Sequence, residues 1–398
     1  MTTNGKAGKY FDPFDSGGTT DPDELLRASR NGCPVHQVND TLYAVYTDRD
    51  VRQVFDDNTH FSNRGNFRLT PEDIDFPVMP VTNADPPQHT ALRARLLKDL
   101  SPRRLRSMKP VVDDIVTKSV ARLPESGRVE LYNDYIRFIP AAVVYALIGI
   151  PEDRWAQVQE WSDAIVAVVP EPVEAMPEFA GLTGLIGELA HQRLIDADNR
   201  HEDVLDNLCF AEAAEAEMNL IEVVFHIVQL VLAGTDTTRA LITNCVFRLL
   251  EQHEQWEVVV ADRSLLSPAV EESLRHDSPA QFMVRSVIDD VAVGGCRMEA
   301  GKKVYLSIQS ANHDETAWGS DAHKYRADRP HATGHLAFGR GIHACIGAPL
   351  ARIEAISAIS ALMHRFPNAV LAPEARWERT PSAVTRRTAA LPVLLQGH

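Results

Sequence analysis

The chain has 398 residues, of which 44% are hydrophobic and 24% are charged, proportions that are ordinary for a soluble globular protein. Its formal net charge of −15 argues against a nucleic-acid-binding protein, whose surface would be basic. The five cysteines form no C-x-x-C pair, which excludes a zinc site of the usual spacing and favours a reducing cytoplasm over a disulfide framework. No linker or low-complexity tract divides the sequence. We therefore expect one domain over residues 1–398, with an irregular arm at residues 1–22.

The sequence predicts no membrane anchor. Residues 1–20 are polar and glycine-rich and lack the apolar core of a signal peptide. The most apolar run, residues 223–233, is too short to span a bilayer and contains His226 and Gln229.

The first elements are a short helix over residues 23–29, a strand over residues 42–46 and a helix over residues 48–56 with Thr47 as its cap. Residues 62–85 lack periodicity, and a loop of this length inside a compact domain is usually functional. Its Arg64 and Arg68 could meet a substrate carboxylate or could simply be solvated, and the sequence leaves both roles open.

A helix is predicted to start near Asp85, at the two prolines that follow it. This helix would place His89 and Arg93, four residues apart, on one face. Two cationic donors on one face suit a ligand carboxylate, although a surface pair has the same pattern. Residues 93–109 then contain seven basic residues and one acid. Such a run could steer an acidic partner, or it could be a solvated helix face.

Four helices are predicted over residues 111–123, 135–147, 152–169 and 178–195. The longest helical pattern follows at residues 220–253, about 50 Å long at about 1.5 Å per residue. Its middle contains Ala233, Gly234, Asp236 and three threonines, and most of these are poor helix formers. Small Ala233 and Gly234 would let a flat ligand approach the backbone. Asp236 and Thr237 would add an acid and an alcohol able to deliver protons.

The last third contains two further patterns. Glu272 and Arg275 are three residues apart on a helical pattern and can pair, with a structural role. Near the end, Cys345 lies in a loop with Gly339 and Gly341, whose backbone freedom can turn N–H groups towards the sulfur. A helix predicted over residues 348–364 would place its positive dipole end near the same atom. Both effects favour the thiolate, which is the metal-binding form of cysteine.

This loop resembles the haem-ligand loop of the cytochrome P450 family, and the matching positions are Phe338, Gly339, Gly341, His343, Cys345 and Gly347. The resemblance implies that Cys345 is the thiolate ligand of haem b. It also implies the cytochrome P450 fold, which is mainly α with a small β part, and in which haem lies between a long central helix and the Cys-ligand helix.

The resemblance assigns roles to the other candidates. Asp236 and Thr237 match the family's proton-delivering acid–alcohol pair, and Arg329 is the third member of a buried network with Glu272 and Arg275. The resemblance implies four donors to the haem propionates, which are His89, Arg93, Arg285 and His343. It also implies that the haem contacts Ala233, Gly234, Phe338 and Gly347. Ala383 and Val384 would lie near the substrate.

The expected function is monooxygenation: one oxygen atom of O₂ enters a small apolar substrate by hydroxylation or O-dealkylation. Electrons would come from NAD(P)H through a ferredoxin reductase and an iron–sulfur ferredoxin that docks on the basic region 93–109. Two alternatives remain open. One is a peroxygenase on the same scaffold that uses H₂O₂, and the other is a non-catalytic haem-based sensor or carrier.

Overall fold

The computed structural model describes residues 10–15, 22–66, 68–71, 78–168, 173–210, 218–382 and 385–396. Within these residues the helices are α1 (Asp23–Gly32), α2 (Asp48–Asp56), α3 (Gln88–Asp99), α4 (Pro102–Ala121), α5 (Phe138–Ile148), α6 (Trp155–Val168), α7 (Pro177–Ile195), α8 (Val204–Cys209), α9 (Leu220–Glu251), α10 (His253–Ala261), α11 (Leu266–His276), α12 (Ile308–Asn312), α13 (Glu315–Trp318) and α14 (Ala348–Arg365). The strands are β1 (Val35–Asn39), β2 (Leu42–Val45), β3 (Phe61–Ser62), β4 (Ser126–Glu130), β5 (Phe282–Val287), β6 (Val291–Val293), β7 (Cys296–Met298), β8 (Lys303–Ser307), β9 (Val370–Leu371) and β10 (Pro392–Gln396). The predicted class, mainly α with a small β part, is confirmed.

The chain forms two compact units. The sheet unit comprises Met1–Asp75, Ser264–Cys345 and Arg376–Ala389, and the helical unit comprises Phe76–Arg263, Ile346–Ala375 and Ala390–His398. Each unit is therefore assembled from separate stretches of the chain. The expectation of a single domain over residues 1–398 stays a prediction.

A five-stranded sheet organises the sheet unit, with the strand order β1-β2-β8-β5-β3. Strand β2 runs parallel to β8, and the other pairs are antiparallel. Successive side chains of β2 point to opposite faces, and all four residues are buried because both faces are covered. Leu42 and Ala44 enter one apolar cluster, whereas Tyr43 and Val45 enter a second. Strand β2 thus supplies side chains to two cores.

Helix α9 organises the helical unit and packs against α5, α7 and α14. It begins with a capping box, in which the Asn219 side chain accepts from the Glu222 N–H and the Glu222 side chain accepts from the Asn219 N–H. In the described part of the chain, α9 is the one helix long and apolar enough to cross a membrane, which is weak evidence because core helices of globular proteins pass the same test. A second sheet in this unit has the order β4-β10-β9.

Several boundaries differ from the prediction. Helix α4 begins at Pro102, nine residues before the predicted start, because Ser101 caps it and Pro110 is accommodated inside it. Proline at the first helical position needs no N–H partner, so Pro102 favours this start. Ala383 and Val384, and parts of the arm and of the 62–85 loop, lie outside the described residues.

Candidate functional site

The Cys345 loop is a closed turn in the sheet unit. The Cys345 N–H donates to the Phe338 carbonyl at 2.8 Å, and the Ala344 N–H donates to the Gly341 carbonyl at 3.1 Å. Gly339 and Gly341 have φ values of +64° and +72°, in the left-handed region that favours glycine. The thiol at the end of this turn is exposed.

The loop is held against the end of α2. A Cβ atom added at Gly341 would lie 2.8 Å from the Phe55 carbonyl oxygen, so only glycine allows this approach. The Arg340 Nε donates to both carboxylate oxygens of Asp56, at 2.8 and 2.7 Å. This ion pair is about half exposed and therefore adds little stability. The close backbone packing at Gly341 is the stronger constraint on the loop.

Two of the predicted propionate donors lie in the same unit. Arg285 is buried on β5, where its Nη1 donates to the Val284 carbonyl at 2.9 Å and its guanidinium lies 5.1 Å from the Phe55 ring centroid. His343 is half-buried in a short 3₁₀ turn, Gly341–His343, two residues before the cysteine. Phe55 thus contacts Arg285 through its ring, and its backbone carbonyl lies close to Gly341 of the Cys345 loop.

The structure brings Glu272, Arg275 and Arg329 into direct contact. Arg275 donates to both carboxylate oxygens of Glu272, at 2.7 and 2.8 Å, and the Arg329 Nε donates to Glu272 Oε1 at 2.9 Å. Glu272 and Arg275 are fully buried. Arg275 also donates to the carbonyls of Asn312, Ala322 and Lys324. One carboxylate therefore ties α11 to the segment that leads to the cysteine loop.

In the helical unit, the middle of α9 remains a continuous helix through Thr238. The Thr235 hydroxyl donates to the Val231 carbonyl at 3.1 Å, and the Thr237 hydroxyl donates to the Ala233 carbonyl at 2.9 Å. These i−4 bonds satisfy the hydroxyls within the helix. Thr235 is buried, whereas Thr237 and Asp236 are half-buried and Ala233 is exposed. The segment therefore has one open face on an otherwise largely buried helix.

A glycine is required at position 234 for packing, which the sequence did not reveal. A Cβ atom added there would lie 2.8 Å from Val144 Cγ2 on α5, so the glycine allows α5 and α9 to pack closely. Ala233 is instead the small residue on the open face. The two small residues, predicted to act together, thus face different surroundings.

A partly buried ion pair that the sequence analysis missed holds this part of α9. Arg239 is 2% exposed; its Nη1 donates to Asp163 on α6, and its Nε donates to the Arg137 carbonyl at 2.8 Å. The Arg137 guanidinium also donates to Asp163, at 2.6 Å. Burial alone would lower the pKa of Arg239, but Asp163 outweighs it and the pKa is raised. A charged residue in an apolar stretch signals the need for a partner, but not which partner.

The other two predicted propionate donors lie on α3, four residues apart. Burial lowers the pKa of His89, Arg93 lowers it further, and Asp85 opposes both. The helix therefore presents an arginine and an imidazole that tends to be neutral, rather than two cations. A neutral imidazole still donates one N–H, and a bound carboxylate would favour its protonated form.

These donors fit haem b by their chemistry. An exposed thiol in a glycine turn suits a soft metal, and the predicted propionate donors carry N–H groups. Ala233 is exposed, and its neighbours Leu232 and Gly234 are half-buried, so this turn of α9 leaves a surface on which a flat ring can lie. Cys345, Phe338, His343 and Arg285 belong to the sheet unit, and Gly347, His89, Arg93 and the α9 residues belong to the helical unit.

Comparison with known proteins identifies the family. A family model of cytochrome P450 matches residues 171–388. The chain is 34% identical over 319 residues, 78% of its length and 74% of the other, to the cytochrome P450 monooxygenase PikC of Streptomyces venezuelae. It is 33% identical over 330 residues, covering 81% and 80%, to the vitamin D(3) 25-hydroxylase of Pseudonocardia autotrophica.

Solved structures agree. Cytochrome P450 CYP109Q5 from Chondromyces apiculatus superposes with a TM-score of 0.87 at 29% identity, covering 98% of this chain and 99% of that one. CYP109E1 from Bacillus megaterium, in complex with corticosterone, gives 0.84 at 26% identity, covering 94% and 98%. The chain belongs to the cytochrome P450 family. It is a haem b-dependent monooxygenase, as the Cys345 loop predicted.

Proposed function

We propose that the enzyme takes electrons from NAD(P)H through a ferredoxin reductase and a ferredoxin, and inserts one atom of O₂ into an apolar C–H bond in the cytoplasm. The balanced reaction is R–H + O₂ + 2e⁻ + 2H⁺ → R–OH + H₂O, and O-dealkylation follows when the hydroxylated carbon carries an ether oxygen. Bound haem b supplies the redox-active iron at which O₂ is reduced. The observation that carries this proposal is the open face of α9 with Asp236 and Thr237.

In this proposal Cys345 is the iron ligand, and the loop backbone holds its sulfur in place. His89, Arg93, Arg285 and His343 bind the two propionates by charge-assisted hydrogen bonds. Phe338, Gly347 and Ala233 would contact the ring, whereas Gly234 packs against Val144 of α5.

Asp236 and Thr237 deliver the two protons of the reaction. The half-buried Asp236 carboxyl exchanges protons with solvent, and the Thr237 Oγ1 passes them on after it leaves the Ala233 carbonyl. The Arg239–Asp163 pair keeps this turn of α9 in register with α6, so the hydroxyl stays positioned. Glu272, Arg275 and Arg329 stabilise the segment that carries the cysteine loop.

The substrate is proposed to be a lipophilic molecule. Among the relatives, one is named a vitamin D(3) 25-hydroxylase, and structures of CYP109E1 contain corticosterone or testosterone. Helix α6 contains the apolar residues Ile165, Val166 and Val168. Screening a panel of sterols and terpenoids for a shift of the haem spin state tests this class, and a panel without any shift would contradict it.

One comparison tests the electron route against the alternatives. Product formation is measured with NADPH, reductase and ferredoxin, and separately with H₂O₂ alone. We expect product mainly from the first mixture. Product from H₂O₂ alone would indicate a peroxygenase, and product from neither would favour a sensor or carrier.

The redox partner is proposed to dock on the basic region 93–109, which the structure places on α3, the following turn and the start of α4. Arg106 and Lys109 are exposed there, and Lys109 pairs with Asp113 at 2.6 Å. Slower reduction of the Arg106→Gln enzyme by ferredoxin at low ionic strength would support docking on this surface. An unchanged rate would show that Arg106 does not take part in docking.

A further inference from the structure

A polar cleft lies inside the helical unit, where the end of α3, the start of α4 and the segment leading into α8 meet. Its volume is about 550 Å³, within the range of small-molecule sites. None of the residues proposed to hold haem lines it. The basic region 93–109 therefore contains a concave site in addition to an exposed surface.

The cleft is strongly cationic. Five basic side chains line it (Arg95, Lys98, Arg103, Arg104 and Arg200), against two acids (Asp99 and Glu202). Burial raises the pKa of Asp99, and the Asn207 amide and Arg104 oppose this without cancelling it.

The position of Arg104 points to a ligand. Its Nε is buried and, among the described residues, has no hydrogen-bond partner. Leaving a charged donor unsatisfied is costly, and an oxyanion in the cleft would remove this cost. Arg104 is also in the first turn of the 20-residue helix α4, where the helix dipole adds positive potential.

The remaining walls suit an organic group beside the anion. Phe210 and Leu208 line the cleft, and the Arg200 guanidinium lies 4.0 Å from the Phe210 ring centroid. Arg200 is also held by Asp206 at 2.6 Å, so this wall is fixed. Arg95 is buried in the lining, whereas Lys98 and Arg103 are exposed and form the rim.

We propose that this cleft binds the phosphate group of a small molecule. A phosphate presents several oxygens and nearly two negative charges, which matches several arginines better than a single carboxylate does. Arg104 binds it at the start of α4, Arg95 binds it from α3, and Arg103 closes the rim. The site goes beyond the monooxygenase reaction, since none of the residues that line it is proposed to bind haem.

Calorimetric titration of the haem-loaded enzyme tests the proposal, with phenyl phosphate, inorganic phosphate and benzoate as probes at matched ionic strength. We expect saturable binding of phosphate, and no comparable binding of benzoate. Tighter binding of phenyl phosphate identifies an organic phosphate as the source, and equal binding identifies the free anion. No saturable binding of either phosphate, or benzoate binding as tight as phosphate, would overturn the proposal.

Three variants locate the site. Arg104→Gln and the rim variant Arg103→Gln should each weaken binding by about tenfold or more, the effect of losing a hydrogen bond to a charged group. Arg106→Gln is the matched control, because this arginine is exposed on the same helix and does not line the cleft. Equal weakening in Arg106→Gln would contradict a specific site.

The same variants separate this site from the electron route. If Arg104→Gln slows ferredoxin-driven reduction while neither phosphate binds the unmodified enzyme, the cleft receives the redox partner and the phosphate proposal is wrong. Binding is measured without turnover, so failure of the proposed electron route leaves the calorimetric result interpretable. Retention of the reduced-CO band in each variant shows that the haem site is intact.

Discussion

The buried carboxylate of Glu272 should be the most sensitive single stability determinant near the cysteine loop. It accepts four hydrogen bonds, two from Arg275, one from the Arg329 side chain and one from the Arg326 N–H. Glu272→Gln keeps the shape but leaves the buried Arg275 guanidinium without its counter-charge, and it removes one of the two carboxylates that pair with Arg329. Removing one partner of a buried pair costs about 3–5 kcal/mol, so we expect a loss of this size in the free energy of unfolding.

The assay is urea unfolding of the haem-loaded enzyme, followed by far-ultraviolet circular dichroism and by Soret absorbance. Glu374→Gln is the matched control, because it breaks an ion pair with Arg128 that is about half exposed and should cost less than about 1 kcal/mol. A Glu272→Gln variant that loses no more stability than this control would refute the reasoning. Loss of haem without loss of stability would instead show that the network positions the ligand loop.

Three further predictions concern the site and its surroundings. Cys345→Ala should abolish the reduced-CO absorption band typical of thiolate ligation; a surviving band would disprove the ligand assignment. Thr237→Ala should keep the haem but divert electrons to peroxide, whereas Thr235→Val, which loses a similar i−4 bond on the buried side, should stay coupled; equal coupling in both would exclude the proton-delivery role. Burial lowers the pKa of His313 well below its usual value, and nearby His276 and Arg275 lower it further. Below about pH 6.5 the unfolded chain therefore binds more protons than the folded chain, so stability falls as pH falls. His313→Gln should therefore reduce the slope of the free energy of unfolding against pH, below about pH 6.5, by up to about 1.4 kcal/mol per pH unit. An unchanged slope would show that His313 does not cause this pH dependence.

Local signals predicted the elements that bear the chemistry. Spacing of three residues placed Glu272 beside Arg275, and the glycines around Cys345 indicated a turn whose φ values the structure confirms. Thr47 was likewise read correctly as a cap, since its side chain accepts from the Asp50 N–H. Each of these interactions depends on residues that are close in the chain, so a sequence pattern is sufficient to find it.

Other features depended on contacts that no local pattern encodes. Asp163 and Arg239 are 76 residues apart, and nothing near either residue names its partner. The close approach of Val144 to Gly234 has the same cause, since it depends on how α5 packs on α9. The start of α4 is different: Ser101 and Pro102 are a local signal for a helix start, and the predicted start at residue 111 did not use it.

Gly339 and Gly341 of the cysteine loop should differ sharply in the substitutions that they tolerate. Gly341 is constrained both by its φ of +72° and by a Cβ position 2.8 Å from a backbone oxygen, so even asparagine, which tolerates left-handed angles, has no room there. At Gly339 the nearest atom to an added Cβ is 3.9 Å away, and backbone conformation alone limits the choice. In a laboratory-evolution library that varies this loop, we therefore expect folded variants with some substitutions at residue 339 and almost none at residue 341.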